Sequence, residues 1–347
     1  MRYLLLILAV IAGIAGYTVY WFVVAGQLER GTDAWIAQRQ AEGYQIAHAG
    51  YAVSGYPGRL LLTVGAPSIA NPKEPGDWSW TGKQLIVYVQ PWDLGHVILD
   101  FGPTNQIAWR EGAVSRKADL VAKSAKASLI LDRRGQVLRA DADLSGLSAI
   151  VSDIAQPIEA GRLELHQRAH AGVTPERPAA GIEVAVYATD VLLPDQWAGP
   201  LGRHLPLLRL VASLPPPLPR DLAGIAGWRD DGGTVQVERL ALNWGPLDLH
   251  GTGTVTLDKD MRPLGALASE IKGFAETLDA FTAAGQIRRN DAQLAKIGLG
   301  LIAKDGSDGR PVLKLPITAQ DGRLFVGPVA LLRLRPLLLV DARNPAQ

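Results

Sequence analysis

The 347-residue chain contains no cysteine at all. Disulfide bonds, thiolate metal sites and cysteine nucleophiles are therefore excluded, although a chain without cysteine suits an oxidising compartment as well as a reducing one. An excess of either charge is missing too, because 35 Lys and Arg face 34 Asp and Glu and leave a formal charge of +1. Since a balanced chain offers no clustered basic face, we expect no nucleic-acid partner.

The recognisable motifs of catalysis and cofactor binding are also missing. The sequence has no H-E-x-x-H, no glycine-rich nucleotide loop and no G-x-S-x-G elbow. His166 and His170 are four residues apart, but the surrounding alternation predicts a strand, on which the two side chains lie about 13 Å apart, too far for one ion. We therefore predict no catalytic, cofactor-binding or metal-binding residue. The protein is expected not to be an enzyme, with a hydrolase that lacks a recognisable motif as the alternative.

What the sequence does contain is a long uncharged run near its N-terminus, Tyr3–Ala25. Its 23 residues form a helix of about 34 Å, enough to cross a bilayer core of about 30 Å. A cleaved signal peptide is the competing interpretation, but a signal core has only about 7–15 apolar residues. We predict an uncleaved single-span anchor in the inner membrane. Arg2 precedes the span and keeps the N-terminus in the cytoplasm, so the bulk of the chain lies in the periplasm.

The rest of the chain alternates apolar and polar residues with period two, which predicts strands separated by Gly, Pro and Asp turns. One example is "LILDRRGQVLRA", a hairpin with Arg133–Gly135 at its tip. The Pro- and Gly-rich segment Gly172–Gly181 predicts a boundary between two halves. The predicted parts are an anchor at 1–25, a juxtamembrane helix at 26–43, a first β-rich half at 44–172 and a second at 181–347, with short helices near 221–229, 274–284 and 291–303.

Two stretches in different halves match without gaps and predict related halves. Gln84–Asp100 and Arg239–Val255 each have the pattern strand, Pro-x-Asp turn, strand. We expect a mainly β fold with minor α, built from extended, curved antiparallel sheets. Strands with one apolar face need a covering layer. That face is expected either to be sealed in a core or to line an open groove for acyl chains.

"SGYPGRL" (Ser54–Leu60) is the most distinctive turn. Pro57 fixes its own φ and confines Tyr56 to an extended conformation, so we expect a corner between the first two strands, beside the helix that leaves the membrane. Aromatic and basic side chains suit a lipid interface. The predicted membrane-interface or head-group contacts are Tyr20, Trp21, Trp35, Tyr56 and Arg59. For Trp35, a helix on the membrane surface and a stalk packed on the first strands both remain open.

Four stretches in order carry a family resemblance: "SGYPGRL", "WSWTGKQLIVYVQPWDLGH", "DGGTVQVERLALNWGPLDLHGTGTVTLD" and "LPITAQDGRLFVGPVALLRLRPL". With the single span before them, they resemble the uncharacterised envelope family of alphaproteobacteria catalogued as domain of unknown function 2125. The meander in the second half is more loosely similar to AsmA-like envelope proteins. That likeness implies a periplasmic β protein that handles lipids, and neither family supplies a catalytic residue.

These observations predict a non-enzymatic envelope protein that binds or transfers a lipid or another hydrophobic molecule. The expected partners are the inner membrane, a lipid and other envelope proteins. A scaffold that binds another envelope protein through its exposed sheet edges is the alternative.

Overall fold

The structure, a computed structural model, describes residues 2–72, 77–111, 114–169, 181–216, 224–306 and 309–337. The chain divides into two compact units, residues 1–157 and 158–347. Both are built mainly from antiparallel strands, as the period-two alternation predicts. The boundary lies earlier than Gly172, and the reason is that the strand Ile158–Ala169 pairs along its length with the strand Ile182–Leu192 of the second unit. Residues 170–180 of the expected linker lie outside the described residues.

The described residues of the first unit form one continuous helix followed by eleven strands. Its elements are α1 (Arg2–Ala41), β1 (Gln45–Ala47), β2 (Tyr51–Ser54), β3 (Leu60–Gly65), β4 (Ser68–Asn71), β5 (Trp78–Gly82), β6 (Gln84–Gln90), β7 (Asp93–Asp100), β8 (Thr104–Glu111), β9 (Val114–Val121), β10 (Ser124–Leu131) and β11 (Val137–Val151). Within this part of the chain, α1 is long and apolar enough to cross a membrane.

The first unit forms six long antiparallel segments, which we call ribbons. Each of the first five consists of two strands that follow each other end to end: β1 then β2, β3 then β4, β5 then β6, β7 then β8, and β9 then β10. The sixth is β11, which forms hydrogen bonds with both β10 and β9. The interruptions in neighbouring ribbons lie side by side. Backbone hydrogen bonds join them, from Ala49 N to Gly65 O and from Ala66 N to Lys83 O. This line divides the sheet into a first half-sheet, with strands β2, β3, β6, β7, β10 and the start of β11, and a second half-sheet.

The described residues of the second unit form a meander of antiparallel strands with four short α-helices. Its strands are β12 (Ile158–Ala169), β13 (Ile182–Leu192), β14 (His204–Leu214), β15 (Val235–Trp244), β16 (Leu247–Leu257), β17 (Pro263–Lys272), β18 (Lys304–Asp305), β19 (Pro311–Gln320), β20 (Arg323–Val326) and β21 (Val329–Arg333), and its helices are α2 (Asp195–Ala198), α3 (Gly224–Asp230), α4 (Phe274–Ala283) and α5 (Arg289–Ile302). Each strand from β12 to β16 pairs with the next, and β19 pairs with β17, β18 and β20.

α4 and α5 lie where helices are predicted near 274–284 and 291–303, and they contact β16 and β19 on one face of the sheet. Residues 221–223 of the helix predicted near 221–229 lie outside the described residues, and α3 begins at Gly224. A tight turn precedes α4. Gly273 has φ 67°, and a Cβ atom there would lie 1.9 Å from the carbonyl oxygen of Pro246, so only glycine fits.

Candidate functional site

The first candidate surface is the end of the first unit where α1 meets the strand corner. Three aromatic side chains of α1 donate hydrogen bonds to backbone oxygens of the loops below it: Tyr17 to Pro57 at 2.5 Å, Tyr20 to Pro91 at 2.6 Å and Trp21, through Nε1, to Arg59 at 3.2 Å. "SGYPGRL" is therefore a corner beside the apolar helix, as predicted, but it joins the second and third strands, β2 and β3, rather than the first two. The contacts join the helix to two separate loops.

An apolar cluster stabilises the same junction. Trp21, Val24 and Ala25 of α1 pack against Leu60 and Val89 of the first half-sheet, and all five are buried. Above them, the Tyr56 ring stacks on Phe22 at a centroid distance of 6.1 Å. Because burial of large side chains dominates packing energies, the end of the apolar run belongs to the folded first unit.

The five predicted interface residues have different surroundings. Tyr20, Tyr56 and Arg59 are exposed at the junction. Trp21 differs from our expectation, because it is only 3% exposed and its ring packs against protein. Trp35 is 48% exposed, but it lies about 22 Å beyond Tyr20 along α1, so the two side chains do not share one depth along the helix axis.

The second half of α1 packs along the first strands. Tyr51 of β2 donates a hydrogen bond to Asp33 at 2.6 Å, and this bond raises the pKa of the tyrosine. Further along, Gln40 donates through Nε2 to the backbone oxygen of Ile46 at 3.2 Å. Residues 26–41 therefore form a stalk continuous with the apolar helix, which was one of the two expected arrangements.

A shallow, open depression of about 500 Å³ lies on the other face of the first half-sheet. Its lining includes Arg59, Tyr88, His96, Ile98 and Lys126. Neighbouring side chains hold two of these groups, since His96 Nε2 lies 3.0 Å from Ser128 Oγ and Lys126 Nζ lies 3.8 Å from an Asp100 oxygen. Among the described residues, no three His, Asp or Glu side chains are grouped to hold a metal ion.

The second candidate surface is the apolar face of the sheet in the second unit. Cross-strand register places apolar side chains in rows that run from β12 to β19. One row is Leu163, Ala188, Leu208, Leu242, Leu249, Ile271 and Leu313, and the next includes Leu165, Val186, Leu210, Leu240 and Leu315. Side chains of one row are neighbours in space although they are up to 150 positions apart in the sequence.

Side-chain exposure differs along the rows. Over β16, β17 and β19, α4 and α5 complete a core in which Leu249, Ile271 and Leu313 are buried. Over β12 to β14, Leu165 is 41% exposed, and four further aliphatic side chains are half-buried: Leu163, Val186, Leu208 and Leu210. This part of the face, which we name the apolar strip, is defined by these five residues. Its presence follows from the aliphatic side chains that the register places side by side on β12, β13 and β14.

The opposite face of the same sheet is polar. Glu270 pairs with Lys314, and this hydrogen bond holds the pKa of the carboxyl below its usual value. Arg310 lies 3.3 Å from Asp248. The sheet therefore has one polar, solvent-facing side and one apolar side, as the alternation in the sequence predicts. Alternation alone does not show which part of the apolar face the helices cover.

Comparison with known proteins identifies a family. The profile of a bacterial family described as "Uncharacterized protein conserved in bacteria (DUF2125)" matches residues 21–335, which is the family that the four stretches resemble. No curated protein and no solved structure matches the chain. The looser likeness to AsmA-like proteins stays a prediction.

Proposed function

This chain belongs to the DUF2125 family, whose description assigns no activity, and we propose that it is a membrane-anchored envelope protein that binds or transfers a lipid. The apolar strip of the second unit is the observation that carries the proposal. Aliphatic side chains continue there beyond the helix-covered core, and Leu165 at the outer strand is exposed. An acyl chain is a suitable ligand because it needs a long apolar surface and no hydrogen-bonding partner.

The anchor supports the same function. The uncharged segment of α1 would hold both units beside a bilayer, where lipid is the most abundant hydrophobic molecule. Arg2 before the span favours the cytoplasm for the N-terminus and the periplasm for the folded part. In this proposal the inner membrane supplies the lipid, and the apolar strip shields its acyl chain from water.

Photo-crosslinking tests the proposal. The full-length protein is reconstituted in nanodiscs with a phospholipid that carries a photoreactive acyl chain, and mass spectrometry locates the crosslinked residues. We expect adducts on β12 to β14. Replacing Leu165 with glutamine places an amide on the strip and should reduce those adducts several-fold, because a buried amide without a partner is unfavourable beside an acyl chain.

Leu294→Gln is the matched control, since Leu294 is an exposed leucine of α5 outside the strip. Adducts confined to α1 would contradict lipid binding by the second unit. Equal labelling of both variants would show that the apolar strip is not the lipid-binding site. A defined protein crosslink on the strip without lipid would instead support a scaffold that binds another envelope protein.

A further inference from the structure

Three strand connections of the first half-sheet lie side by side at the same end of its strands. They are the corner 55–59, the tip 91–92 between β6 and β7, and the tip 132–136 between β10 and β11. The register fixes this arrangement, since Leu60 pairs with Val89, Val89 with Val97, and His96 with Ile130. We name this end of the half-sheet, together with the residues up to Leu94 and Leu138, the rim.

The apolar helix leaves the first unit across this rim. Tyr17 and Tyr20 bind the first two connections, whereas Asp33 binds Tyr51 further into the half-sheet. Residues 2–16 therefore extend beyond the rim. At 1.5 Å per residue these 15 residues measure about 22 Å, which is shorter than a hydrocarbon core of about 30 Å.

Because the charged Arg2 bounds the apolar run on the side away from the rim, the missing length comes from the part of α1 that contacts the rim. About 20 residues are needed to cross the core, which places its outer boundary near Phe22 when the span starts at Tyr3. Tyr17 and Tyr20 then lie within the outer part of the core, and the loops they bind lie at a similar depth. Tilting of α1 increases the length required and brings the rim closer to the lipid.

The side chains of the rim suit a lipid surface. Its exposed apolar groups include Trp92, at 65% the most exposed tryptophan among the described residues, with Leu94, Tyr56, Val137 and Leu138. Its exposed charged groups include Arg59, Arg133, Arg134 and the carboxylate of Asp93, so positive charge is in excess. The carboxylate of Asp132 faces its own turn, where it accepts hydrogen bonds from the backbone N–H groups of Arg134 and Gln136. Indole rings and guanidinium groups are favoured where acyl chains meet anionic head groups.

We propose that the rim is a membrane-contact surface that inserts Trp92 and Leu94 into the lipid interface and presents Arg59, Arg133 and Arg134 to anionic head groups. This inference rests on the anchor in the proposed function but is independent of the apolar strip. In this proposal the rim of the first unit lies on the bilayer surface. The strands of its sheet extend away from the membrane, and the second half of α1 packs along them as a stalk.

The absence of cysteine allows a direct test, because a single introduced cysteine carries the only label. Four full-length variants are labelled with an environment-sensitive fluorophore in nanodiscs of phosphatidylethanolamine and phosphatidylglycerol. Leu94→Cys and Arg134→Cys report on the rim, Val10→Cys on the span, and Trp35→Cys on the stalk. Two sets of lipids, one with the quencher near the head group and one with it deep in the acyl chain, measure the depth of each label, and position 10 is read with the deep quencher.

We expect quenching at positions 94 and 134 several-fold stronger than at position 35, with a blue-shifted emission. If positions 94 and 134 are quenched as weakly as position 35 while position 10 is quenched, the rim is not a membrane-contact surface, although α1 is still an anchor. An unquenched label at position 10 would overturn both. Replacing phosphatidylglycerol with phosphatidylcholine should weaken the quenching at position 94, and the double variant Arg133→Gln/Arg134→Gln should remove that lipid dependence. If the loss persists unchanged in the double variant, the arginines do not bind the anionic head groups.

Discussion

Replacing Trp21 with alanine tests whether the apolar helix belongs to the folded first unit. The indole is 3% exposed and packs against Leu60 and Val89, and its Nε1 donates to the backbone oxygen of Arg59 at 3.2 Å. Removing a buried tryptophan typically lowers the free energy of unfolding by about 3–5 kcal/mol. Detergent contacts α1 in the unfolded state and reduces the transfer part of this cost, as lipid does between membrane helices. We therefore expect a loss near 3 kcal/mol in micelles.

Two variants separate the contributions to this loss. Trp21→Phe keeps an aromatic ring but removes the hydrogen bond, and it should cost about 1 kcal/mol for that bond, in addition to the smaller ring. Trp35→Ala is the matched control, because Trp35 lies on the same helix and is half exposed. Surface substitutions usually change stability by less than about 0.5 kcal/mol.

The assay is urea unfolding of the full-length protein in micelles, followed by far-ultraviolet circular dichroism at a wavelength dominated by strands. The transition midpoint and slope give the free energy of unfolding for each variant. Equal losses in Trp21→Ala and Trp35→Ala would refute the argument. They would mean that the helix is an independent anchor and that the contacts with Leu60 and Arg59 add nothing to the stability of the sheet.

Two further predictions concern the second unit. Burial acts to raise the pKa of Asp258, but hydrogen bonds from the backbone and guanidinium of Arg262 and from the backbone of Asp260 outweigh it and hold that pKa below its usual value. The ionised carboxylate therefore stabilises the fold above pH 4 or so and loses this effect as the pH falls through its lowered pKa. Thermal melts between pH 3 and 7 should show a smaller acid-induced fall in Asp258→Asn, and parallel profiles would contradict the assignment. Gly273→Ala should lower the free energy of unfolding by at least about 1–3 kcal/mol, because alanine is strained at the positive φ of this position. Gly298→Ala in α5, with open space around it, should be neutral or stabilising by about 0.5–1 kcal/mol in the same melts, and equal effects would argue against the clash at Gly273.

Local patterns determined much of the fold. The uncharged run predicts α1, and the alternation predicts the strands and the hairpin with Arg133–Gly135 at its tip, which the pairing of β10 with β11 confirms. The two stretches with a Pro-x-Asp turn are both hairpins, formed by β6 with β7 and by β15 with β16. These features depend on side chains a few positions apart, so periodicity and turn residues are sufficient to predict them.

Tertiary structure decided the rest. The sequence alone predicts that Trp21 contacts the membrane interface, whereas packing against Leu60 buries that ring. Trp92, some 70 positions later, is exposed at the rim. Likewise, Leu163 and Leu313 lie in one cross-strand row, yet only Leu313 is sealed by α4 and α5. Alternation predicts which face of a strand is apolar. The register between distant strands determines which apolar side chains are neighbours, and helix packing determines which of them remain open to water.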